Sequence, residues 1–264
     1  MLNIRNAAIR SNIFLMCIFA AFLFAISSST HAWEWNWGLG KGVSGSGTIK
    51  SEIRNVPGFA GLKLSLPASV HIRQSNTESV VIETDDNILP LVETIVGDSQ
   101  LKIRPRETNS SFRTKTLNVT IDAKTVESIV AAGSGRVRAR RLKGLKAETL
   151  KISIAGSGDV QIKALNAVTL KVSIAGSGEL TVGAKAAAFE ASIAGSAGVK
   201  AAELETENAK ISVAGSGNAI VWPKESLNPS VVGFGEVQYY GDAKVSKSIA
   251  GSGRVTKLGV VRAP

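Results

Sequence analysis

Lys151-Ile152-Ser153-Ile154-Ala155-Gly156-Ser157-Gly158-Asp159-Val160 returns twenty residues later as Lys171-Val172-Ser173-Ile174-Ala175-Gly176-Ser177-Gly178-Glu179-Leu180. Working outward from this pair, the same corner recurs at Gly133-Ser134-Gly135, Gly195-Ser196-Ala197, Gly215-Ser216-Gly217, Gly233-Phe234-Gly235 and Gly251-Ser252-Gly253. Successive first glycines (Gly133, Gly156, Gly176, Gly195, Gly215, Gly233, Gly251) are 23, 20, 19, 20, 18 and 18 residues apart. A period near twenty is that of a solenoid, in which each repeat is one coil stacked on the last. Two positions before the glycine stand Ala131, Ile154, Ile174, Ile193, Val213, Val231 and Ile249, and three before it, from the second coil on, stands serine. That alternation is a period-two strand with the aliphatic column inside. Past the corner, Val137, Val160, Leu180, Val199, Ala219, Val237 and Val255 form a second aliphatic column. The residue just before the glycine is small, from Ala132 and Ala155 to Ala250, with Val232 the largest, and is expected to mark a tight inward corner. The glycines are expected to supply positive φ or close backbone approach. Parallel coils spaced by about 4.8 Å would make a rod roughly 30 to 35 Å long. The fold expected is therefore all-β, a parallel β-helix of about seven Gly-Ser-Gly-cornered coils.

Residues 48–130 carry no such repeat. Ile49-Lys50-Ser51-Glu52-Ile53-Arg54, Gly61-Leu62-Lys63-Leu64-Ser65-Leu66, Ser69-Val70-His71-Ile72-Arg73, Ser79-Val80-Val81-Ile82-Glu83, Gln100-Leu101-Lys102-Ile103-Arg104 and Leu117-Asn118-Val119-Thr120-Ile121 read as strands. Pro57-Gly58, Pro67, Asp85-Asp86-Asn87, Gly97-Asp98 and Asn109-Ser110-Ser111 break them. This stretch is expected to be the irregular first part of one solenoid domain spanning 48–260, with 131–260 as its regular part; a separate small sandwich is the alternative. Residues 33–47, rich in Gly and Trp, read as a lead-in. Ahead of it, Arg5 and Arg10, the fourteen-residue apolar run Ile13 to Ile26 and Thr30-His31-Ala32 form a signal-peptide pattern, with cleavage expected after Ala32. The run is short for a bilayer span. Cys17 lies in its middle, out of place for lipidation.

Cleavage after Ala32 would leave 232 residues with 29 basic and 21 acidic side chains and no cysteine. Such a chain suits an oxidising compartment, periplasmic or at the cell surface, and has neither disulfides nor thiolate metal ligands. Its positive charge favours an anionic glycan, lipopolysaccharide or another envelope protein as partner, and equally serves solubility. Nucleic acid is excluded by the compartment, and no transmembrane span is expected in the mature chain.

Arg54-Asn55-Val56-Pro57-Gly58-Phe59-Ala60-Gly61-Leu62-Lys63-Leu64, Val70-His71-Ile72-Arg73-Gln74, Val81-Ile82-Glu83-Thr84-Asp85-Asp86-Asn87-Ile88 and Leu101-Lys102-Ile103, in that order and followed by the Ile-Ala-Gly-Ser-Gly turns, resemble the head GIN domain family of auto-transporter adhesins. The resemblance runs from about Ile49 to Gly241. It implies an envelope location and a β-helix-like fold, and little about activity.

The residues offer little catalytic chemistry. His71 is the one histidine left after cleavage, too few for a zinc site and without a nucleophile or orienting acid to make it a base. Gly-Ser-Gly lacks the Gly-x-Ser-x-Gly elbow of hydrolases, and no Lys-Ser/Thr follows to make a phosphate loop. Behind each corner, Arg136, Asp159, Glu179, Gly198, Asn218, Glu236 and Arg254 would stack as a ladder. Arg136 with Asp159 and Glu236 with Arg254 would be opposite charges; Asp159 with Glu179 would be like charges needing a cation. These oxygens fall short of a calcium site, so no metal and no cofactor is expected. Two binding candidates remain. Trp33, Trp35 and Trp37 alternate, so an extended chain presents three rings on one side, for a glycan, a membrane interface or the solenoid's end. Arg136, Arg138, Arg140, Arg141 and Lys143 are the densest cationic run, suited to polyanions or simply to solvation. The function expected is a non-catalytic exported envelope protein, adhesin-like or scaffolding; the alternative is a polysaccharide lyase-like carbohydrate-active enzyme on the same scaffold.

Overall fold

The computed structural model describes residues 42–107, 111–140, 142 and 148–259. The signal-peptide reading, Trp33, Trp35, Trp37, Arg141 and Lys143 lie outside these residues. The described chain is nearly all strand. It begins with β1 (Val43–Ser44), β2 (Ile49–Arg54), β3 (Gly61–Leu64), β4 (Ser69–Gln74) and β5 (Ser79–Asp85). After a 3-10 turn at Leu89–Leu91 come β6 (Val92–Gly97), β7 (Gln100–Pro105), β8 (Phe112–Arg113) and β9 (Leu117–Ala123). The repeats follow as β10 (Ser128–Gly133), β11 (Arg136–Ala139), β12 (Thr149–Gly156), β13 (Asp159–Gly176), β14 (Glu179–Gly195), β15 (Gly198–Gly215) and β16 (Asn218–Gly233). The last strands are β17 (Glu236–Tyr240), β18 (Lys244–Val245), β19 (Ser248–Gly251) and β20 (Arg254–Gly259). No helix among the described residues is long and apolar enough to cross a membrane.

The repeats stack as a parallel β-solenoid of about six turns, since seven corner glycines bound six intervals. Gly133 pairs with Gly156, Gly156 with Gly176, and so on to Gly233 with Gly251. Both aliphatic columns are internal: Ile154, Ile174 and Val213 on one side of the corner, and Val160, Leu180 and Val199 on the other, are buried. Ile249, on the last coil, has a stacked neighbour on one side only among the described residues and is 38% exposed.

The two glycines of a corner answer different demands. The first takes φ between +96° and +118° in all seven corners, a region that costs a branched residue heavily. At Gly176 a Cβ would also sit 2.4 Å from the carbonyl oxygen of Gly156. The second glycine is the inward one, pressed on the aliphatic column of the coil below: a Cβ on Gly235 would lie 2.5 Å from Val213 Cγ1. The alanine column turns out the opposite way from the inward corner expected. Ala155, Ala175, Ala194 and Ala214 are exposed, and Val232 is 56% exposed. Strict alternation explains this, because an inward Ile154 forces Ser153 and Ala155 outward and leaves the inward turn to the glycine that follows.

The irregular part adds coils to the same stack, out of chain order. On one face β3 lies between β7 and β10; on the other β4 lies between β9 and β11, all in parallel register. The far side is then closed by antiparallel strands: β6 on β7, β5 on β9 and β2 on β5. Arg54 fixes this end. Its guanidinium donates to the carbonyl oxygens of Val92 (2.7 Å) and Leu89 (3.1 Å) and to Thr94 Oγ1 (2.8 Å). Asp85, buried at the end of β5, accepts from the Gly47 amide (2.7 Å) and the Thr114 hydroxyl (2.5 Å), tying the segment between β1 and β2 and the segment after β8 to β5.

Candidate functional site

Alternation along β11 turns Val137 and Ala139 inward and Arg136 and Arg138 outward, with Arg140 continuing the outward series. Parallel stacking then chooses their neighbours. Arg138 lies between His71 of β4 and Gln161 of β13, and His71 lies beside Thr120 of β9. One alternation further on come Arg73 and Lys163. Beyond the sheet's edge the turn at 75–78 crosses the end of β9, held by the Ser75 amide on the Ala123 carbonyl oxygen (2.9 Å). That arch is one wall, and the sheet is the floor. The result is a hollow of about 710 Å³ lined by His71, Arg73, Asn76, Thr120, Lys124, Arg138 and Arg140 among others. A second hollow of about 300 Å³ shares His71, Arg138 and Arg140 and adds Gln161 and Lys163. Together they form one trough at the junction of the irregular end and the first regular coil.

The charges around the trough sort into satisfied and unsatisfied. Arg73 is matched by Asp122, Nε to Oδ1 at 2.8 Å and Nη2 to Oδ2 at 2.9 Å, and Ser79 donates to the same carboxylate at 3.1 Å. Lys124 reaches Glu78 at 3.7 Å. Arg136 is drawn away by Asp159 at 3.5 Å. Arg138, Arg140 and Lys163 have no carboxylate within salt-bridge reach among the described residues, and all three are exposed. Three uncompensated cations in a concave site make a local positive potential that an anion can enter.

The structure therefore splits the cationic run read from sequence. Arg138 and Arg140 stand in the trough, Arg136 stands in an ion pair at its margin, and Arg141 and Lys143 lie outside the described residues. Sequence reasoning missed His71, Arg73, Lys124 and Lys163 as neighbours of Arg138 and Arg140. The signal was available for Lys163, which follows Asp159 at the spacing by which Arg140 follows Arg136. For His71 and Arg73 no repeat marks the register. The ladder behind the corners has the pairing expected: Asp159 stacks on Glu179, and the two like charges are each relieved by a cation from the far side, Arg136 for Asp159 and Lys200 for Glu179 at 2.7 Å. Glu236 stacks on Arg254. No group of three or more His, Cys, Asp or Glu that could hold a metal ion occurs among the described residues.

Comparison with known proteins places this architecture. The chain is similar to a solved structure described as a "putative adhesin" from Bacteroides fragilis, with 22% identity and a TM-score of 0.71 over 83% of this chain and 100% of that one. It is similar as well to a "putative lipid binding protein" from Parabacteroides distasonis, with 24% identity and a TM-score of 0.67 over 83% and 100% of the two chains. A "putative adhesin" from Parabacteroides merdae follows at 20% identity and TM-score 0.62, over 82% and 98%. At these identities the likeness is one of fold. No curated protein sequence matches the chain. Residues 58–243 match the family described as "Putative auto-transporter adhesin, head GIN domain", and by that match, which spans the trough and the corners from Gly133 to Gly233, the chain belongs to the head GIN domain family.

Proposed function

We propose that this is an exported, non-catalytic, adhesin-like protein of the cell envelope whose solenoid face binds anionic envelope or extracellular polymers. The observation that carries the reading is the trough at Arg138, Arg140 and Lys163, where three exposed cations without carboxylate partners among the described residues are gathered in one concave site. The non-catalytic part draws support from the carboxylate beside the trough: Asp122, next to the lining residue Arg73, is engaged by that guanidinium at both oxygens. The family description and the adhesin-named structural relatives point the same way. Export rests on the signal-peptide pattern, and intact mass of envelope-fraction protein, expected to begin at Trp33, tests it separately.

The binding test is a titration of wild type and of the Arg138→Ala/Arg140→Ala double variant with heparin and with lipopolysaccharide. The wild type is expected to bind one of them with an affinity that falls steeply between low salt and 0.15 M, where exposed charges are screened beyond about 8 Å. The double variant is expected to lose about tenfold or more, whereas Arg136→Ala, whose guanidinium is already paired, changes little. Equal affinity of wild type and double variant for both polymers would overturn the proposal.

A further inference from the structure

We infer that the trough takes a single residue of an acidic saccharide, with its anionic group between Arg138 and Arg140 and its hydroxyls on the hydrogen-bonding lining. This deepens, and rests on, the polymer-binding reading above. Three features separate such a pocket from a plain basic stripe.

The first is shape. A hollow of about 710 Å³ falls in the range of small-ligand sites, roughly 300–1,000 Å³, whereas a polyanion tracking a strand needs only a flat face. The second is the make-up of the column across the coils. Arg138 has His71 on one side and Gln161 on the other, each one strand away. Along this outward column the sequence is Thr120, His71, Arg138, Gln161 and Thr181, so one guanidinium is embedded among hydrogen-bonding side chains with no second guanidinium or ammonium beside it. The third is what those hydrogen-bonding groups are doing. The side chains of Thr120, Gln161, Asn76 and His71 make no hydrogen bond to another described residue. All four reach solvent in part, so they are satisfied by water and can exchange it for sugar hydroxyls. An amide offers donor and acceptor together, as a hydroxyl does, and the guanidinium fork matches a carboxylate or a sulfate or phosphate ester through two parallel bonds. Ser75 is not part of this set, because its hydroxyl is engaged with Thr77.

The mature-length protein is titrated calorimetrically with glucuronate, galactose 6-sulfate, glucose 6-phosphate, glucose and inorganic phosphate, and with heparin in parallel. At least one acidic sugar is expected to bind about tenfold or more tighter than both glucose and inorganic phosphate, and which one does so identifies the anionic group. The Asn76→Ala/Gln161→Ala variant is expected to weaken that sugar about tenfold, for two hydrogen bonds lost, and to leave heparin unchanged. The Arg138→Ala/Arg140→Ala variant loses both ligands. Heparin binding without binding of any acidic sugar, or inorganic phosphate binding as tightly as glucose 6-phosphate, would overturn the pocket and leave the polymer reading standing. An unchanged sugar affinity in Asn76→Ala/Gln161→Ala would overturn the role of the hydrogen-bonding lining and with it the inference. Absence of binding to sugars, heparin and lipopolysaccharide together would remove both readings.

Discussion

Between Gly156 and Gly233 the turns stack on one another in parallel with only local shifts of register, and many of their charges pair between neighbouring coils. Lys171 meets Glu190 at 3.2 Å, Lys200 meets Glu179 at 2.7 Å, and Lys185 and Lys224 both approach Glu205 at 3.9 and 3.8 Å. Between Ile49 and Ala123 no segment copies another, strands run both ways, and the chain doubles back to lay β7 and β9 beyond β3 and β4. Regularity produces flat faces on which a side chain always has the same neighbour one strand away, so partnered ladders are easy to build. Irregularity produces overhang. The arch at 75–78 exists because the chain must cross the end of β9 to reach β5, and that crossing turns a flat face into a trough.

The largest effect expected tests the regular half. Gly176→Val puts a branched side chain at φ +118° and a Cβ 2.4 Å from the Gly156 carbonyl oxygen, and is expected to cost about 3 kcal/mol or more of stability in chemical denaturation. Ser177→Ala, one residue on and exposed, is expected to stay within about 0.5 kcal/mol. A reversal of that order would mean that the corners are held by the hydroxyl column and not by backbone geometry. The irregular half breaks through polar contacts instead. Thr114→Val removes the hydroxyl that donates to buried Asp85 and is expected to cost about 1–3 kcal/mol. Hydrogen exchange should show the loss confined to β1, β2, β5 and β8, with the protection of β13 to β15 unchanged. Uniform loss of protection would show the two halves to be one cooperative unit.

The smallest effect is a pH dependence. Asp86 accepts a hydrogen bond from the Ser46 hydroxyl at 2.5 Å, and Lys50 lies 3.6 Å away; these hold its carboxyl below the ordinary value, against a weaker opposing effect of desolvation. A carboxyl whose folded pKa is depressed adds stability that is present above its unfolded pKa and lost as pH falls through the folded one. The Asp86 contribution is therefore present above about pH 4 and declines below it. Asp86→Asn should flatten the acid limb of a melting-temperature profile slightly, and an unchanged limb would show that the carboxylate is not coupled to folding.

Much of the fold is legible in the sequence because solenoid columns are local: the neighbour of Ile154 is Ile174, one period away, and nothing else has to be known. The direction of Ala155 is not legible from its size, because in a strand parity decides the face and size does not. The trough is legible in part. Arg138 and Arg140 announce themselves as outward cations, but their partners in the site come from β4, β9 and the 75–78 turn, whose register is set by an out-of-order path that no repeat records. The tests at Asn76 and Gln161 depend on that path, and could not have been designed from the cationic run.

That path has a consequence for how the molecule must assemble. The coil made of β3 and β4 has one edge covered by β7 and β9 and the other by β10 and β11, so both its neighbours are synthesised after it. A chain emerging from its N-terminus cannot finish this coil until Ala139 is available, whereas every later turn can settle onto a surface that already exists. Growth by nearest-neighbour addition is how repeat arrays fold, and closing long loops before any contact rewards them is what slows folding. The end that carries the trough is thus expected to close more slowly than a repeat docks on its neighbour, and lengthening the array by one turn would extend the rod by about 4.8 Å without adding to the loops that this end must close.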